Sequence, residues 1–368
     1  MNVDAKIKDA KQDTKVTNAA AHWGPRFTVN GVDFSDFKDV TSALHSWDDW
    51  CRAWSARAGE HEARGRAALV QKRYVSARDH LLRASVTYHF AKYLFVQDMA
   101  QMKAAHGKAV ECLTAALPHM EPPGERVLIP YEGKELAGVL RKPRGVQKPP
   151  IVLMTMGLDS TKEELVTFQQ TFLDRGMAIL AFDGPGQGEA EYDFPIRPDY
   201  ENVVGPVIDW LEARRPDVDS KRLGIWGISL GGYYAPRAAA FEKRIKAAIA
   251  NCGPYNWGAL WAKLPELTRA AYIQRSHSKS DAEAHKKAFE LSLEGVGAKI
   301  ECPIFIIAAG LDRLCPPEDA RRLASEVKGP VELLVIEDGN HVAHNRPYSY
   351  RPQSADWMAQ QLSAVAAR

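Results

Sequence analysis

No apolar run in these 368 residues approaches the ~20 needed to cross a bilayer, so nothing in the sequence reads as a membrane span. Charge of one sign is also missing. The formal net charge is +2, from 48 Lys and Arg against 46 Asp and Glu, which leaves no field suited to nucleic acid or an anionic membrane. Paired cysteines are absent as well. The five cysteines (Cys51, Cys112, Cys252, Cys302 and Cys315) are scattered, and no C-x-x-C occurs. That pattern excludes a disulfide framework and a spaced zinc site, and it suits a reducing cytoplasm. Cys315 follows Asp312 closely, but an inert buried thiol is the plainer expectation for it. The N-terminal stretch lacks the apolar segment of a secretory signal. Residues 1–21 are therefore expected to be a flexible arm on a cytoplasmic protein.

Proline is missing between Ser46 and Leu117, and this stretch reads as helical. In "ARDHLLRASVTYHFAKYLF", Leu81, Ala84, Tyr88, Ala91 and Phe95 step by three and four along one helical face. Leu82, Val86, His89 and Tyr93 make a second stripe beside it. So wide an apolar face predicts contact on two sides, with other helices and with the main domain or a second copy in a homodimer. With the preceding "EHEARGRAALVQKRYVSA" it resembles one tetratricopeptide-like hairpin, but no second copy is visible, so a repeat array is rejected. "Glu121-Pro122-Pro123-Gly124" then breaks the pattern. The expected organisation is a helical cap or dimerisation region over residues 22–120 and an α/β core over residues 121–368.

From residue 121 short apolar runs alternate with helical stretches. "ERVLIPYEGKELAGVLRKP" predicts an antiparallel hairpin turning at Glu132-Gly133. "PPIVLMTMG", "MAILAFDGPGQG", "RLGIWGIS", "KAAIANCG", "PIFIIAAG" and "VELLVIED" predict further strands, with helical segments between them and an insertion over residues 254–300. Near-continuous apolar strands of this kind imply a mostly parallel sheet covered by helices on both faces. Ligands bind at the C-terminal ends of such strands.

Three motifs fall at those ends. "GISLGG" puts Ser229 between glycines where a strand turns into the helix "YYAPRAAAFE". Alone, G-x-S-x-G is only a glycine-containing loop. In this place it predicts a tight elbow that pushes the serine into a cleft. Asp312 follows a later strand, and His341, in "IEDGNHVAHN", follows the last. The chain order Ser, Asp, His is that of α/β-hydrolases. His341 would take the Ser229 proton, and Asp312 would hold the imidazole in the needed tautomer. His344 and Asp338 are the competing histidine and acid. The backbone N–H groups of Leu230 and Leu158 are the expected oxyanion donors, with Gly157 permitting close approach. Asp183 ends a neighbouring strand. It is either a turn-capping carboxylate or a pocket residue. "GPGQGE" lacks the spacing of a dinucleotide fingerprint, so neither a nucleotide cofactor nor a metal is expected.

"HWGPRF", "VDFSDF", "SWDDW", "GLDSTKEE", "FDGPGQGE", "WGISLGGYYAPRAAA", "LDRLCPPEDA" and "DGNHVAHNRPYSYRPQSADWM" together resemble the 2,6-dihydroxypseudooxynicotine hydrolase family of α/β-hydrolases. The likeness runs from about residue 22 to the C-terminus. Fungal polyketide-shortening hydrolases look like more distant relatives. The resemblance implies a serine hydrolase that cleaves a carbon–carbon bond of an aryl ketone, with Ser229, Asp312 and His341 on the triad positions. It also implies a cap built from the N-terminal helices and the insertion. The insertion departs most from the family pattern. Its Trp257, Trp261, Glu266 and Tyr272 are candidate pocket residues. A triad alone does not separate ketone cleavage from ester, lactone or amide cleavage, since all pass through an oxyanion. A non-catalytic binding protein using the helical hairpin is the rival from another class.

Overall fold

The computed structural model describes residues 12–366. The chain divides into two compact units, Met1–His119 and Met120–Arg368.

The first unit is helical: α1 (Thr14–Val29), α2 (Phe34–Ala43), α3 (Trp50–Val70), α4 (Tyr74–Lys92) and α5 (Met99–Ala116). α1 begins inside the stretch expected as a flexible arm. Asp13 caps it, its carboxylate accepting from the Lys15 N–H at 2.9 Å. Residues 1–11 of that expected arm lie outside the described residues. α3 and α4 form the anticipated hairpin, but α5 packs against α4 as a third long helix, so the hairpin does not stand alone. α4 ends at Lys92, and Leu94 takes a left-handed φ of 56°, so Phe95 lies beyond the helix and not on its face. Aromatic rings fill this unit. Phe27 stacks on Phe90 at 3.8 Å between centroids, and Trp50 Nε1 donates to the Phe90 carbonyl at 3.0 Å.

The second unit opens with the hairpin β1 (Gly124–Tyr131) and β2 (Lys134–Arg141). Glu132 and Gly133 both have positive φ, as a two-residue turn between right-twisted strands requires. There follow β3 (Pro150–Thr155), α6 (Val166–Leu173), β4 (Ala178–Phe182), α7 (Glu201–Arg214), β5 (Asp219–Ile228), α8 (Gly231–Phe241) and β6 (Ile245–Asn251). The insertion holds α9 (Trp257–Leu260), α10 (Glu266–Arg275) and α11 (Asp281–Glu290). β7 (Ile304–Ala309), α12 (Pro317–Glu326), β8 (Val331–Ile336) and α13 (Arg351–Ala366) complete the chain.

The eight strands form one sheet in the order β1-β2-β4-β3-β5-β6-β7-β8. β1 and β2 are antiparallel, β2 meets β4 antiparallel, and the pairs from β4 to β8 are parallel. Every residue of β3, β4 and β7 is buried, which is why their sequences run apolar without alternation. On one face Val152, Ile179, Trp226, Ile249 and Phe305 pack with Phe168 and Phe172 of α6 and Met358 and Leu362 of α13. Each such side chain contributes roughly 1.5–3 kcal/mol by leaving water. This packed layer fixes where the C-terminal ends of β3, β5, β6 and β7 lie.

Candidate active site

Ser229 joins β5 to α8 with φ of 55°, a left-handed conformation that a non-glycine residue rarely adopts. The turn is crowded: a Cβ placed on Gly227 would lie 1.8 Å from the Gly231 carbonyl oxygen, so only glycine fits there. The Ser229 N–H donates to the Asn251 carbonyl at 2.8 Å, which ties the elbow to the end of β6.

His341 Nε2 lies 2.9 Å from Ser229 Oγ, and His341 Nδ1 lies 2.8 Å from Asp312 Oδ2. An Nδ1–H donated to the carboxylate leaves Nε2 free to accept the serine proton. Asp312 is anchored on its other side. Oδ1 accepts the N–H groups of Leu314 at 2.8 Å and Cys315 at 2.9 Å. His341 is buried and Ser229 is half-buried. The loop carrying His341 is held by a reciprocal pair: the Asn340 N–H donates to Asn345 Oδ1 at 2.8 Å, and the Asn345 N–H donates to Asn340 Oδ1 at 3.3 Å. Val342 and Ala343 also have positive φ, 63° and 52°, and so does Cys252 at the end of β6, 49°. The competing acid Asp338 is turned to Arg346, whose Nε donates to it at 2.8 Å. Burial pushes the Cys315 and Cys252 thiols well above their usual range, in keeping with inert sulfur beside Asp312.

The Leu230 and Leu158 N–H groups have no backbone acceptor among the described residues. Leu158 follows β3, beside the elbow. A Cβ on Gly157 would meet Ser229 Cβ at 3.0 Å and the Ile228 carbonyl oxygen at 3.1 Å, so the loop approaches as closely as glycine allows.

Asp183 takes the turn-capping place, the first of the two expected for it, accepting from backbone N–H groups of two loops. It is fully buried and accepts from the Lys162 N–H at 3.0 Å, Lys162 Nζ at 2.7 Å and the Glu189 N–H at 3.1 Å. Burial opposes the charge on Lys162, but Asp183, Glu163 and Glu189 outweigh it and hold the ammonium above its usual range. Burial likewise opposes the Asp183 charge, and Lys162 overrides it, holding the carboxyl below its usual range. Trp261 and Tyr272 belong to the insertion's own core: their rings meet edge-on at 5.5 Å, and Trp261 stacks on His285 at 5.4 Å. Trp261 Nε1 donates to Asp281 at 3.2 Å. Trp257 is buried beside Tyr272, with 6.3 Å between ring centroids. An insertion this short needs its aromatic area to cohere, which sequence alone does not distinguish from a pocket wall. Glu266 is exposed in the first turn of α10, where a carboxylate favours the helix dipole.

Two residues that the sequence reading passed over hold the loop after β3. Gln187 is buried; its Nε2 donates to the Met156 carbonyl at 2.5 Å and the Gly157 carbonyl at 2.9 Å. A long amide between glycines at a strand end, in "GPGQGE", was the available signal. Arg275, the last residue of α10, donates from Nη1 to the Leu158 carbonyl at 2.8 Å and pairs with Asp159 and with Glu191. No local pattern marks it.

Residues 165–364 match the prolyl oligopeptidase family. The 2,6-dihydropseudooxynicotine hydrolase of Paenarthrobacter nicotinovorans is 32% identical over 361 residues, covering 93% of this chain and 92% of that protein. The alpha/beta hydrolase xenA of Xenoacremonium sinensis is 30% identical over 330 residues, 82% of this chain and 76% of its own. A crystal structure of a 2,6-dihydroxy-pseudo-oxynicotine hydrolase superposes with a TM-score of 0.84 at 30% identity, covering 92% of this chain and 96% of the other. With an eight-stranded hydrolase sheet and relatedness across nearly the whole length, helical unit included, the chain is an enzyme of the 2,6-dihydroxypseudooxynicotine hydrolase family of α/β-hydrolases.

Proposed function

We propose that this enzyme is a serine hydrolase that cleaves a carbon–carbon bond next to a carbonyl in an aryl ketone or β-diketone-like compound. The observation that carries the nucleophile assignment is the unbroken hydrogen-bond chain from Asp312 through His341 to Ser229. The bond class follows from the relative that matches the chain almost end to end.

In this reading Ser229 Oγ attacks the carbonyl while His341 Nε2 takes its proton. The oxyanion receives the N–H groups of Leu230 and Leu158. Asp312 stabilises the imidazolium. Collapse of the intermediate breaks the carbon–carbon bond, and His341 returns its proton to the leaving carbon. That carbon must tolerate the departing electron pair, as the α-carbon of a diketone or a hydroxylated ring carbon does. Water, deprotonated by His341, then attacks the acyl-enzyme and releases a carboxylic acid and free Ser229. No step calls for a cofactor.

The test is a screen of purified protein against matched aryl ketones, β-diketones and aryl esters, with products identified by mass. Turnover of ketones with carbon–carbon cleavage supports the reading. Turnover of esters alone replaces it with an esterase. A protein that no fluorophosphonate labels at Ser229 is not a serine hydrolase.

A further inference from the structure

Leu158 stands between two peptide planes, and each is gripped by a buried side chain from a different segment of the chain. The Gly157–Leu158 plane is held through its carbonyl, which accepts from Gln187 Nε2 at 2.9 Å. The Leu158–Asp159 plane is held through its carbonyl, which accepts from Arg275 Nη1 at 2.8 Å. A trans peptide is rigid, and its N–H points opposite to its C=O. Fixing the Gly157 carbonyl therefore fixes the direction of the Leu158 N–H. Fixing both planes pins the φ and ψ of Leu158 together.

The two side chains are themselves constrained. Gln187 Nε2 faces two carbonyls, Met156 at 2.5 Å and Gly157, while Oε1 accepts the Gly184 N–H at 3.3 Å. A flipped amide would set oxygen against both carbonyls and lose its donors, so the orientation is decided. Arg275 is fully buried and meets Asp159 and Glu191. Its backbone is fixed too, since its carbonyl accepts the Ile196 N–H at 2.9 Å. Gln187 comes from the loop after β4 and Arg275 from the insertion. The chain thus uses two distant segments to set one residue.

We propose that Gln187 and Arg275 are positioning residues that aim the Leu158 N–H at the oxyanion forming on Ser229-bound carbonyl carbon. This rests on the reading of Leu158 as an oxyanion donor. It assigns Arg275 a second consequence: the insertion that would meet the substrate is connected by one side chain to the group that stabilises the transition state.

The experiment measures the second-order rate at which an alkyl fluorophosphonate modifies Ser229 in full-length wild type, Gln187→Met, Gln187→Glu and Arg275→Lys. The phosphoryl oxygen needs the same donors as a carbonyl oxyanion, so no native substrate is required. Removing one such donor outright costs about 10²–10³-fold, and a misaimed one costs less. The expected loss in rate constant is roughly 10- to 100-fold, with the fraction of protein labelled at completion unchanged. A merely structural role lowers the folded fraction and so the final extent of labelling, without slowing the molecules that react. If Gln187→Met does not fold, the isosteric Gln187→Glu and the charge-conserving Arg275→Lys carry the same comparison. Wild-type rate constants in the folded variants overturn the proposal alone. A wild type left unmodified at Ser229 overturns the nucleophile reading and this proposal with it.

Discussion

Replacing Asp312 by asparagine should disable the enzyme through the tautomer of His341 while sparing the fold. The two carboxylate oxygens face different partners. Oδ1 accepts the Leu314 and Cys315 N–H groups, and Oδ2 meets His341 Nδ1. An asparagine has one oxygen and one NH₂ group. Its oxygen must stay with the two buried N–H donors, because the NH₂ there would orphan both. The NH₂ then faces Nδ1 and donates to it. Nδ1 becomes an acceptor, the ring proton moves to Nε2, and Nε2 no longer accepts from Ser229. A wrong-tautomer histidine costs about 10⁴-fold in kcat, or ~5.4 kcal/mol of barrier. Stability should follow the opposite ranking. Asp312→Asn keeps both N–H partners, whereas Asp312→Ala orphans two buried donors at about 1–3 kcal/mol each. The alanine variant should therefore lose roughly 2–6 kcal/mol of unfolding free energy, and the asparagine variant less. The assay pairs fluorophosphonate labelling rates with urea denaturation. Asp312→Asn labelled within tenfold of wild type would refute the reasoning, as would an alanine variant more stable than the asparagine one.

Ser229→Ala should lose at least about 10⁴-fold in turnover with an unchanged far-ultraviolet spectrum, and retention of a tenth of the rate would remove Ser229 from the mechanism. Asn345→Ala removes the Oδ1 that accepts the Asn340 N–H and the Nδ2 that donates to the Asp338 carbonyl, leaving only the backbone half of the reciprocal pair to hold the His341 loop; kcat should drop ~10- to 100-fold, checked by steady-state kinetics against an unaltered melting temperature. Acid should destabilise the fold through Asp183, held low by Lys162, and Asp199, lowered to about 2 mainly by its bond to Arg197. Their folded values lie below the unfolded ones, so the stability they contribute is present above the ordinary carboxylate range and is lost as pH falls toward 2. Lys162, shifted upward, keeps its contribution until pH exceeds the ordinary lysine value of 10.5. Melting temperatures measured from pH 7 to pH 2 check the acid limb, and a flat profile contradicts it. EDTA should leave turnover unchanged, because Asp312 and His341 already direct their polar atoms at protein partners; activity restored by zinc after chelation would contradict this.

The sheet was legible because its central strands β3, β4 and β7 are buried throughout and write unbroken apolar runs between helical stretches. The meeting of Ser229, Asp312 and His341 was legible for the same reason: each follows a readable strand, and a parallel sheet brings such ends together. Arg275 was not legible, and Gln187 showed only as a long amide between glycines with no partner indicated. Their targets are backbone carbonyls in another loop, and contact depends on β4 and β3 lying side by side in a sheet whose order differs from the chain order. The role of the insertion's aromatic residues is not legible in the sequence for a different reason. Trp261 and Tyr272 are equally apolar whether they face a ligand or each other, and periodicity over ten residues does not choose. In the helical unit the step of three and four carries on from Ala91 to Phe95, and composition does not reveal the left-handed φ of Leu94 that ends the helix between them.

The four left-handed residues near the candidate site, Ser229, Cys252, Val342 and Ala343, have a bearing on how this protein can evolve. Each holds a conformation that costs on the order of 1–3 kcal/mol and persists because the surrounding layers over-determine it. The mutation that would relieve the most relevant of these strains is Ser229→Gly, which also deletes the nucleophile. Selection for heat resistance without selection for turnover would therefore drift toward a quieter and catalytically silent protein. Ancestral or consensus variants that gain thermal tolerance while staying active must find it away from these positions, in the helical unit or on the partly exposed edge strand β8.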